Sequence, residues 1–349
     1  MTLDDIVLAV RSAHDSAAPL RIRGAGSKDF YGGLLAGDLL DVSGYRGITA
    51  YEPTELYITA RCGTPLSEIE ATLAEKGQML AFEPPHFSGA TAGGCVAAGL
   101  SGPRRQQAGA VRDFVLGVKL VDGTGQVLNF GGQVMKNVAG YDVSRLIAGS
   151  FGTLGVIAEV TLKVLPRPVA EQTLVFSMDR GEALKKLNQW GGQPLPISAS
   201  FWHQGQLWLR LSGAGAAVEA ACRKLGGDPA VNAKNHWNSI REQTHPAFAG
   251  DILWRLALPS TAPCPGLDDL RAIEWGGALR WYAGEQSAIR GAAARLGGHA
   301  VLYRAPESLR CLEGAFAPLS PALLALHRRL KKAFDPKGIL NPGRLYAEF

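Results

Sequence analysis

Residues 136–166 read KNVAGYDVSRLIAGSFGTLGVIAEVTLKVLP and contain a helix signal, a glycine-rich turn and a strand signal in immediate succession. A helix is predicted to begin at Asp142 and to end at Gly149, because glycine accepts the left-handed backbone that often ends a helix. From residue 156 to residue 164 apolar and polar side chains alternate, as in a strand with one buried face, and Pro166 ends the run. This succession predicts a fold in which helices pack on a sheet.

Two further glycine-dense stretches precede this run, RGAGSKDFYGG at residues 23–33 and SGATAGGCVAAGLSG at residues 88–102. Glycine accounts for 43 of the 349 residues, about 12%, whereas the usual share is ~7%. Each glycine in ordered structure costs about 0.5–1 kcal/mol, so such segments indicate that something approaches the backbone closely. A phosphate-bearing cofactor held by successive backbone N–H groups is expected. A mobile surface turn, a flexible linker and an ordinary tight turn are the alternatives for the three segments.

Familiar nucleotide and hydrolase motifs do not fit these segments. The first glycine loop begins like G-x-G-x-x-G, but Asp29 stands at the third glycine position and poor helix formers follow, which argues against a dinucleotide fold of the Rossmann type. The segment GGQVMK at residues 131–136 lacks the glycine and the Ser/Thr that flank a P-loop lysine. Ser150 is not the nucleophile of a hydrolase elbow, because Ala148 replaces the required glycine and a strand follows.

Helix and strand signals continue on both sides of the run. A helix capped by Thr2 is predicted over residues 3–13, and another is predicted after Thr64 as its N-cap, with Pro65 at its first position. Beyond Pro168, strand-like and helical runs alternate, which predicts an α+β sheet layered with helices. The strand-like runs are 173–178, 197–202, 207–211, 252–258, 279–283 and 300–304, and the helical runs are 182–190, 214–225, 267–273 and 286–296.

Composition and charge exclude several functional classes. Hydrophobic and charged residues make up 46% and 19% of the chain, which is typical of a globular enzyme. The formal charge of +5 comes from scattered basic residues, which argues against a nucleic-acid partner. Five cysteines without a CxxC pair favour reduced thiols in a cytosolic protein and argue against a metal or iron–sulfur site in this chain. Since the acidic N-terminus is unlike a signal peptide and no apolar run approaches ~20 residues, a cytoplasmic location is expected.

Taken together, the glycine-rich segments resemble the FAD-binding domain of the vanillyl-alcohol oxidase and p-cresol methylhydroxylase (PCMH-type) superfamily. The matching motifs are RGAGS at residues 23–27, GATAGGCVAAG at residues 89–99 and the whole run at residues 136–166. DPKGILNPG at residues 335–343 is similar to the C-terminal return segment of these proteins. Within the superfamily the chain most resembles the smaller FAD-binding subunit of bacterial glycolate oxidase, also called glycolate dehydrogenase.

The resemblance implies an α+β fold in three parts. A PCMH-type FAD-binding domain of two α+β subdomains would occupy residues 1–168. A reduced ferredoxin-like α+β cap, for substrate or subunit docking, would occupy residues 169–305. Residues 306–349 would form a C-terminal helix and a return segment that packs on the FAD domain.

The resemblance also implies which residues hold FAD. The pyrophosphate would be bound through main-chain N–H groups of the first loop, at Arg23, Gly24, Ala25, Gly26, Ser27 and Lys28. The pyrophosphate and flavin side would be lined by Ala90, Thr91, Gly93 and Gly94. The adenine end would be approached by Gly155, Val156 and Ile157, and the flavin ring would have Asn341 of the tail near it. Lys136, Asn137, Tyr141 and Asp142 match motif positions whose role is either functional or structural. Ser27 stands where some members carry a histidine that tethers flavin, so FAD is expected to be non-covalent.

The activity that the resemblance implies is oxidation of glycolate, and by extension D-lactate, to the 2-oxo acid within a multi-subunit complex. Electrons would pass to an iron–sulfur subunit, and the other partner would be a larger FAD-binding subunit. Contact with the inner face of the cytoplasmic membrane would come only through the complex. A non-catalytic flavin-fold scaffold and a stand-alone FAD-dependent 2-hydroxy-acid oxidase are the alternatives.

No catalytic residue is assigned from the sequence. Relatives that oxidise 2-hydroxy acids carry a GHxGDGNxH metal motif, of which the chain retains only Gly298-His299. Among its seven histidines, His86 and His245 are the best candidates for a catalytic base. The tryptophans, which cluster in the C-terminal half, are interpreted as core residues, with a docking surface as the alternative.

Overall fold

The computed structural model describes residues 1–132, 142–285 and 287–349. The helices are α1 (Leu3–Ser16), α2 (Leu66–Ala74), α3 (Ala92–Ala98), α4 (Arg105–Ala108), α5 (Val111–Phe114), α6 (Val143–Ile147), α7 (Arg180–Gly191), α8 (Gly215–Leu225), α9 (Ala233–Arg241), α10 (Ile289–Arg295), α11 (Glu307–Glu313) and α12 (Pro321–Phe334). The strands are β1 (Leu20–Arg23), β2 (Asp38–Asp41), β3 (Ile48–Glu52), β4 (Tyr57–Arg61), β5 (Gln78–Met79), β6 (Val115–Val121), β7 (Val127–Gly131), β8 (Val156–Lys163), β9 (Leu165–Pro166), β10 (Ala170–Ser177), β11 (Ile197–His203), β12 (Gln206–Gly213), β13 (Asp228–Pro229), β14 (Leu253–Ala257), β15 (Leu270–Glu274), β16 (Leu279–Ala283) and β17 (His299–Arg304).

Helix α1 begins where the sequence predicts. The Asp5 N–H donates to Thr2 Oγ1 over 3.2 Å, and the Thr2 N–H donates to the Asp5 carboxylate over 2.7 Å. This reciprocal pair satisfies backbone donors that a helix start leaves free. Ile6 and Val10, one turn apart, are buried and fix the helix against the core.

The N-terminal half is built on a sheet in which β8 lies between β4 and β6, in the order β3-β4-β8-β6-β7. All pairs in this sheet are antiparallel. Its central strand is the one predicted from the alternating run after residue 156. Six of its eight residues are buried, because helices and sheet cover both faces. Beside this sheet, β1 and β2 form a short parallel pair that leads into the first glycine loop.

The C-terminal half is built on a longer antiparallel sheet, whose order in the described chain is β13-β10-β12-β11-β15-β16-β14-β17. Helices α7, α8 and α10 pack against its strands. The prediction of an α+β fold is confirmed. The interpretation of the tryptophans as core residues is confirmed for all but the partly buried Trp208, namely for Trp190, Trp202, Trp237, Trp254, Trp275 and Trp281. The division of the chain at residues 168 and 305 stays a prediction.

Two local predictions are wrong. The predicted helix at 267–273 is instead strand β15, which pairs with β16 on one side and β11 on the other. Leu267, Leu270 and Ile273 recur every three residues, which resembles the apolar face of a helix. In the structure Ala272, Ile273 and Glu274 are buried in succession, so β15 has no exposed polar face at this end. Thr64 does not cap α2, because its hydroxyl accepts a hydrogen bond from the Gly47 N–H over 2.9 Å, and Pro65 takes the cap position.

The two halves are joined by a buried ion-pair cluster around Glu83. Its carboxylate accepts from Arg210 Nη2 over 2.8 Å and from the Arg104 N–H over 2.8 Å. Arg104 Nη2 also donates to Glu171 over 2.7 Å. Burial alone would raise the pKa of Glu83, but Arg210 and Arg104 outweigh that effect and hold the pKa below its usual value. The carboxylate therefore stays ionised between the two guanidinium groups.

The C-terminal return segment, residues 335–343, closes the N-terminal half. The Leu20 N–H donates to Ile339 O over 2.7 Å, and the Asn341 N–H donates to Leu20 O over 2.9 Å, so the segment lies along β1 like a further strand. Lys331 and Asp335 hold it in place. The buried Lys331 ammonium donates to Asp335 Oδ2 over 2.7 Å and to the carbonyl oxygen of Leu340 over 2.8 Å.

Lys331→Met is expected to lower the free energy of unfolding by roughly 3–5 kcal/mol, because it leaves the Asp335 carboxylate buried without its cation. Chemical denaturation of the purified chain measures this loss. Lys332→Met is the matched control. The Lys332 side chain is exposed, so its loss should change the free energy of unfolding by no more than about 0.5 kcal/mol. Equal losses in the two variants would contradict the assignment.

Candidate functional site

Six glycines of the described chain line a single cleft, called here the glycine cleft. Its cavity volume is about 110 Å³, and its mouth is open to solvent. Its wall consists of Ile22, Arg23, Gly24, Ala25, Gly26, Ser27, Lys28, Asp29, Leu35, Val42, Cys62, Thr91, Gly93, Gly94, Ala97, Ala98, Phe151, Gly152, Gly155, Ile157, Asn341 and Arg344.

Most of the predicted cofactor residues are brought together in this wall. They are Arg23, Gly24, Ala25, Gly26, Ser27, Lys28, Thr91, Gly93, Gly94, Gly155, Ile157 and Asn341. Ala90 and Val156 do not reach the cleft, since both are buried in the core behind it. Lys136, Asn137 and Tyr141 lie outside the described residues. Asp142 caps α6, where its carboxylate accepts from the Arg145 N–H over 3.1 Å.

Two of the glycines are required by protein packing. A Cβ at Gly24 would lie 2.5 Å from Thr91 Oγ1, and a Cβ at Gly93 would lie 2.6 Å from the Cβ of Cys62. Gly24 of the first loop therefore lies against the side chain of Thr91, and Gly93 of helix α3 lies against Cys62, which follows β4. The sequence analysis attributed these glycines to a ligand that lies close to the backbone. At Gly24 and Gly93 the close neighbour is another part of the protein.

The first loop presents free backbone donors to the cleft. The N–H groups of residues 25–28 donate no hydrogen bond to the described part of the protein, whereas the Asp29 N–H closes a turn onto Gly26 O over 3.1 Å. Ala25 is exposed and Gly26 and Ser27 are partly exposed, so these donors are open to a ligand or to solvent. Successive free donors in a loop form an anion-binding nest.

Lys28 adds a buried positive charge beside these donors. Its side chain is 9% exposed, and its ammonium donates to Ser27 Oγ over 3.2 Å and lies 5.7 Å from the ring centre of Phe87. It forms no ion pair within the described chain. Burial lowers the pKa of Lys28, although Cys95 and Glu242 act in the opposite direction. A buried cation without a counter-ion favours an anionic ligand.

The C-terminal return segment closes the cleft from the other side. Asn341 Nδ2 donates to Phe151 O over 2.6 Å, and Asn341 Oδ1 accepts from the Ile22 N–H over 2.7 Å. The predicted residue thus lines the cleft, but both ends of its amide hold the wall together. Arg344 was missed by the sequence analysis. Its guanidinium donates to Tyr31 O over 2.6 Å, and burial lowers its pKa to about 10.

The cleft contains no obvious nucleophile or base. Burial raises the pKa of Cys62 to about 12 and that of Cys95 to about 11, so both thiols are protonated at neutral pH. His86 lies outside the wall, with Nε2 3.3 Å from Glu70 Oε2. His245 packs against Phe201, and burial lowers its pKa to about 4. The catalytic residue stays unassigned.

The described residues contain no group of histidine, cysteine or acidic side chains that could hold a metal ion. His299 begins β17, and its ring has no such group around it. Across the same residues, none of the helices combines the length and the hydrophobicity that a membrane crossing requires.

Lys28→Met is expected to raise the free energy of unfolding of the ligand-free chain at pH 7 by about 1–3 kcal/mol, because the buried charge disappears. The folded-state pKa of Lys28 lies below its unfolded value, so the cost of the charge is complete below the folded-state pKa and is relieved as the pH rises through it. The stabilisation should therefore shrink between pH 7 and pH 10. Thermal unfolding at both pH values measures it.

Lys76→Met, at an exposed lysine, is the matched control and should be neutral at both pH values. A Lys28→Met chain that is less stable than the wild type at pH 7 would contradict this account of the buried ammonium.

Comparison with known proteins agrees with this geometry. The chain matches the FAD binding domain family over residues 1–131 and the C-terminal domain family of FAD linked oxidases over residues 317–345. A solved structure of alkyldihydroxyacetonephosphate synthase superposes with a TM-score of 0.65 at 16% identity, covering 97% of this chain and 74% of that one. This likeness shows the PCMH-type fold. The predictions of the fold and of FAD as cofactor are confirmed.

Similar individual proteins identify the family more closely. Glycolate oxidase subunit GlcE of Escherichia coli is 49% identical over 343 residues, which cover 97% of this chain and 96% of that protein. Glycolate oxidase subunit GlcD of Bacillus subtilis is 30% identical over 172 aligned residues, which cover 48% of this chain and 36% of that protein. A D-lactate dehydrogenase of Anaerostipes hadrus is 30% identical over 51% of this chain and 38% of its own length. The chain belongs to the GlcE family of glycolate oxidase subunits, which are FAD-linked oxidoreductases.

Proposed function

We propose that this chain is an FAD-binding subunit of a multi-subunit glycolate oxidase that converts glycolate, and by extension D-lactate, to the corresponding 2-oxo acid. The likeness to the GlcE subunit over almost the entire chain supports the assignment. The observation that carries it is the combination, in one cleft, of the free N–H groups of residues 25–28 with the unpaired ammonium of Lys28.

These groups fit the diphosphate bridge of FAD. The free N–H groups would donate to phosphate oxygens. Lys28, which has no carboxylate partner in the described chain, would neutralise part of the negative charge of the diphosphate. Thr91, Gly93 and Gly94 would line the same stretch of the cofactor from α3, and Gly155 and Ile157 would contact its adenine end. Bound FAD supplies an acceptor for two electrons and a proton.

The proposed cofactor is held without a covalent bond, since Ser27 offers no ring nitrogen for a tether. No cluster ligands are present in the described residues, so electrons would leave to an iron–sulfur subunit, and a larger FAD-binding subunit would complete the complex. Any contact with the inner face of the cytoplasmic membrane would be made through those partners, and the location would otherwise be cytoplasmic.

A non-catalytic scaffold is the second candidate function. It is favoured by a specific observation, namely that the described residues lining the glycine cleft include no histidine and no carboxylate except Asp29. In that case the bound flavin would organise the subunit without meeting the substrate. A stand-alone oxidase would instead form peroxide in the absence of partners.

Lys28→Met is expected to weaken FAD binding by about 10- to 100-fold, because it removes a charge-assisted contact to the diphosphate. Titration of ligand-free protein with FAD, followed by quenching of flavin fluorescence, measures the dissociation constant and shows whether binding is reversible. Because the same change is expected to stabilise the ligand-free chain, misfolding is not an explanation for weaker binding. Lys76→Met serves again as the control, and an unchanged dissociation constant for Lys28→Met would contradict the diphosphate assignment.

Anaerobic addition of glycolate to the FAD-loaded chain tests the activity. We expect bleaching of the flavin absorbance near 450 nm on the order of seconds, since typical turnover numbers are about 1–1,000 per second. Glycerol, which lacks a carboxylate, is the control and should leave the absorbance unchanged. Flavin that bleaches only when the partner subunits are added would favour the scaffold or relay function over direct oxidation.

A further inference from the structure

The loop that precedes helix α3, residues 86–90, has a strained backbone and is called here the strained loop. Phe87 and Ser88 have φ angles of 43° and 61°, so two consecutive residues with side chains adopt the left-handed region. This region is unfavourable for residues other than glycine and persists where surrounding contacts impose it. The loop leads directly into Thr91, the N-cap of α3, which belongs to the wall of the glycine cleft.

A carboxylate of the C-terminal half supplies contacts that impose this conformation. The Phe87 N–H donates to Glu242 Oε2 over 2.8 Å, and the His86 N–H donates to the same oxygen over 3.0 Å. Glu242 follows helix α9, and its side chain is 17% exposed. Hydrogen bonds from a backbone N–H to a carboxylate are roughly twice as strong as those between neutral groups. One side chain thus accepts the two backbone donors with which the left-handed turn begins.

The Glu242 carboxylate is part of a network that reaches both halves of the chain. Arg241 Nε donates to Glu242 Oε1 over 2.9 Å, and Arg241 Nη1 lies 3.5 Å from Glu70 Oε2. The same Glu70 oxygen lies 3.3 Å from His86 Nε2. Glu70 belongs to helix α2 of the N-terminal half. The network therefore fixes Glu242 against the half of the chain that carries the strained loop.

The strained loop borders the anion-binding nest of the glycine cleft. The ring centre of Phe87 lies 5.7 Å from the Lys28 ammonium, and a Cβ at Gly89 would lie 3.8 Å from the Cβ of Ala25. Burial lowers the pKa of Lys28, and the charge of Glu242 is among those that oppose this change. A relaxed loop would therefore move the ring beside Lys28 and the residues that lead into α3.

We propose that Glu242 is a positioning residue for the cofactor site, which holds the strained loop in the conformation that binds FAD. This proposal rests on the proposed function, which supplies the ligand. Glu242 is absent from the described wall of the cleft, so it acts through Phe87, Ser88 and the start of α3. Without the carboxylate, both residues would relax towards ordinary φ angles. The apparent affinity for a ligand falls in proportion to the fraction of molecules that keep the binding conformation.

Titration of the ligand-free, full-length chain with FAD, followed by flavin fluorescence, tests the proposal. Glu242→Ala is expected to weaken FAD binding by about 10-fold, as it would if about one molecule in ten kept the binding conformation. Glu242→Gln should bind FAD within about threefold of the wild type, since its amide oxygen still accepts from the two N–H groups. Both variants lack the charge that acts on Lys28, so the ratio of their dissociation constants isolates the positioning effect.

A second substitution distinguishes release of the loop from a general loss of structure. Ser88→Gly places glycine where φ is 61°, and glycine adopts this region without strain. In the Glu242→Ala chain it should restore FAD affinity to within about threefold of the wild type, because the loop then keeps its conformation without the carboxylate. In the wild-type chain the same substitution should have a smaller effect, so the two changes are not additive.

Glu219→Ala is the matched control. It removes a carboxylate of helix α8 in the same half, but that side chain is 74% exposed and lies 3.9 Å from Arg223. FAD affinity should stay within about twofold of the wild type. Hydrogen–deuterium exchange of the ligand-free chain adds a readout that needs no FAD. Exchange in peptides that cover residues 86–90 should be faster in Glu242→Ala than in Glu219→Ala and the wild type.

Should Glu242→Ala fail to fold, Glu242→Asp takes its place. Its carboxylate is one methylene shorter and retreats from the two N–H groups, so FAD binding should weaken and Ser88→Gly should restore it. An Asp variant with native thermal stability and unchanged affinity would contradict the positioning role.

The outcomes separate this proposal from the proposed function. If the wild type binds FAD and Glu242→Ala binds it equally tightly, the positioning role is wrong while the proposed function stands. If Glu242→Gln loses as much affinity as Glu242→Ala, the charge and not the hydrogen bonds is responsible, and the proposal is overturned. Failure of Ser88→Gly to restore the affinity of Glu242→Ala overturns it as well. A wild-type chain that does not bind FAD overturns the proposed function, and this inference with it.

Discussion

The contact between the C-terminal return segment and strand β1 is the constraint on which the glycine cleft depends. Asn341 bridges the Ile22 N–H and the Phe151 carbonyl oxygen, so it joins two walls that are far apart in sequence. The Lys331–Asp335 pair then fixes the segment that carries Asn341. Since Asp335 also accepts from the Ile339 and Leu340 N–H groups, a single buried carboxylate determines the path of the segment.

Uncompensated positive charge is a property of the glycine cleft. Lys28 is buried in its wall and is not paired with a carboxylate of the described chain. At the junction of the two halves the protein pairs two buried cations, Arg104 and Arg210, with Glu83. A buried charge without a partner lowers stability, so its retention is understandable where a ligand supplies the opposite charge.

The N-terminal half could be predicted from the sequence because its signals are local. Strand β8 follows from strict alternation, α1 follows from its capping box, and the glycine loop follows from residue types that permit close backbone contact. Strand β15 could not be predicted, because Leu267, Leu270 and Ile273 recur at the spacing of a helix face. Arg344 could not be found either. Its importance arises from the groups that the fold places around it, and a lone arginine in a sequence has no such signal.

The contact between Ile22 and Asn341 also has a consequence for synthesis. It spans 319 residues, so the wall of the cleft cannot form until residue 341 has left the ribosome. Domains generally fold in order as they emerge, and contacts of such long separation form late. The nascent N-terminal half therefore exposes an open β1 edge and an incomplete nucleotide pocket throughout translation of the second sheet. A cleft with all of its walls is therefore available to flavin only after residue 341 has been added to the chain.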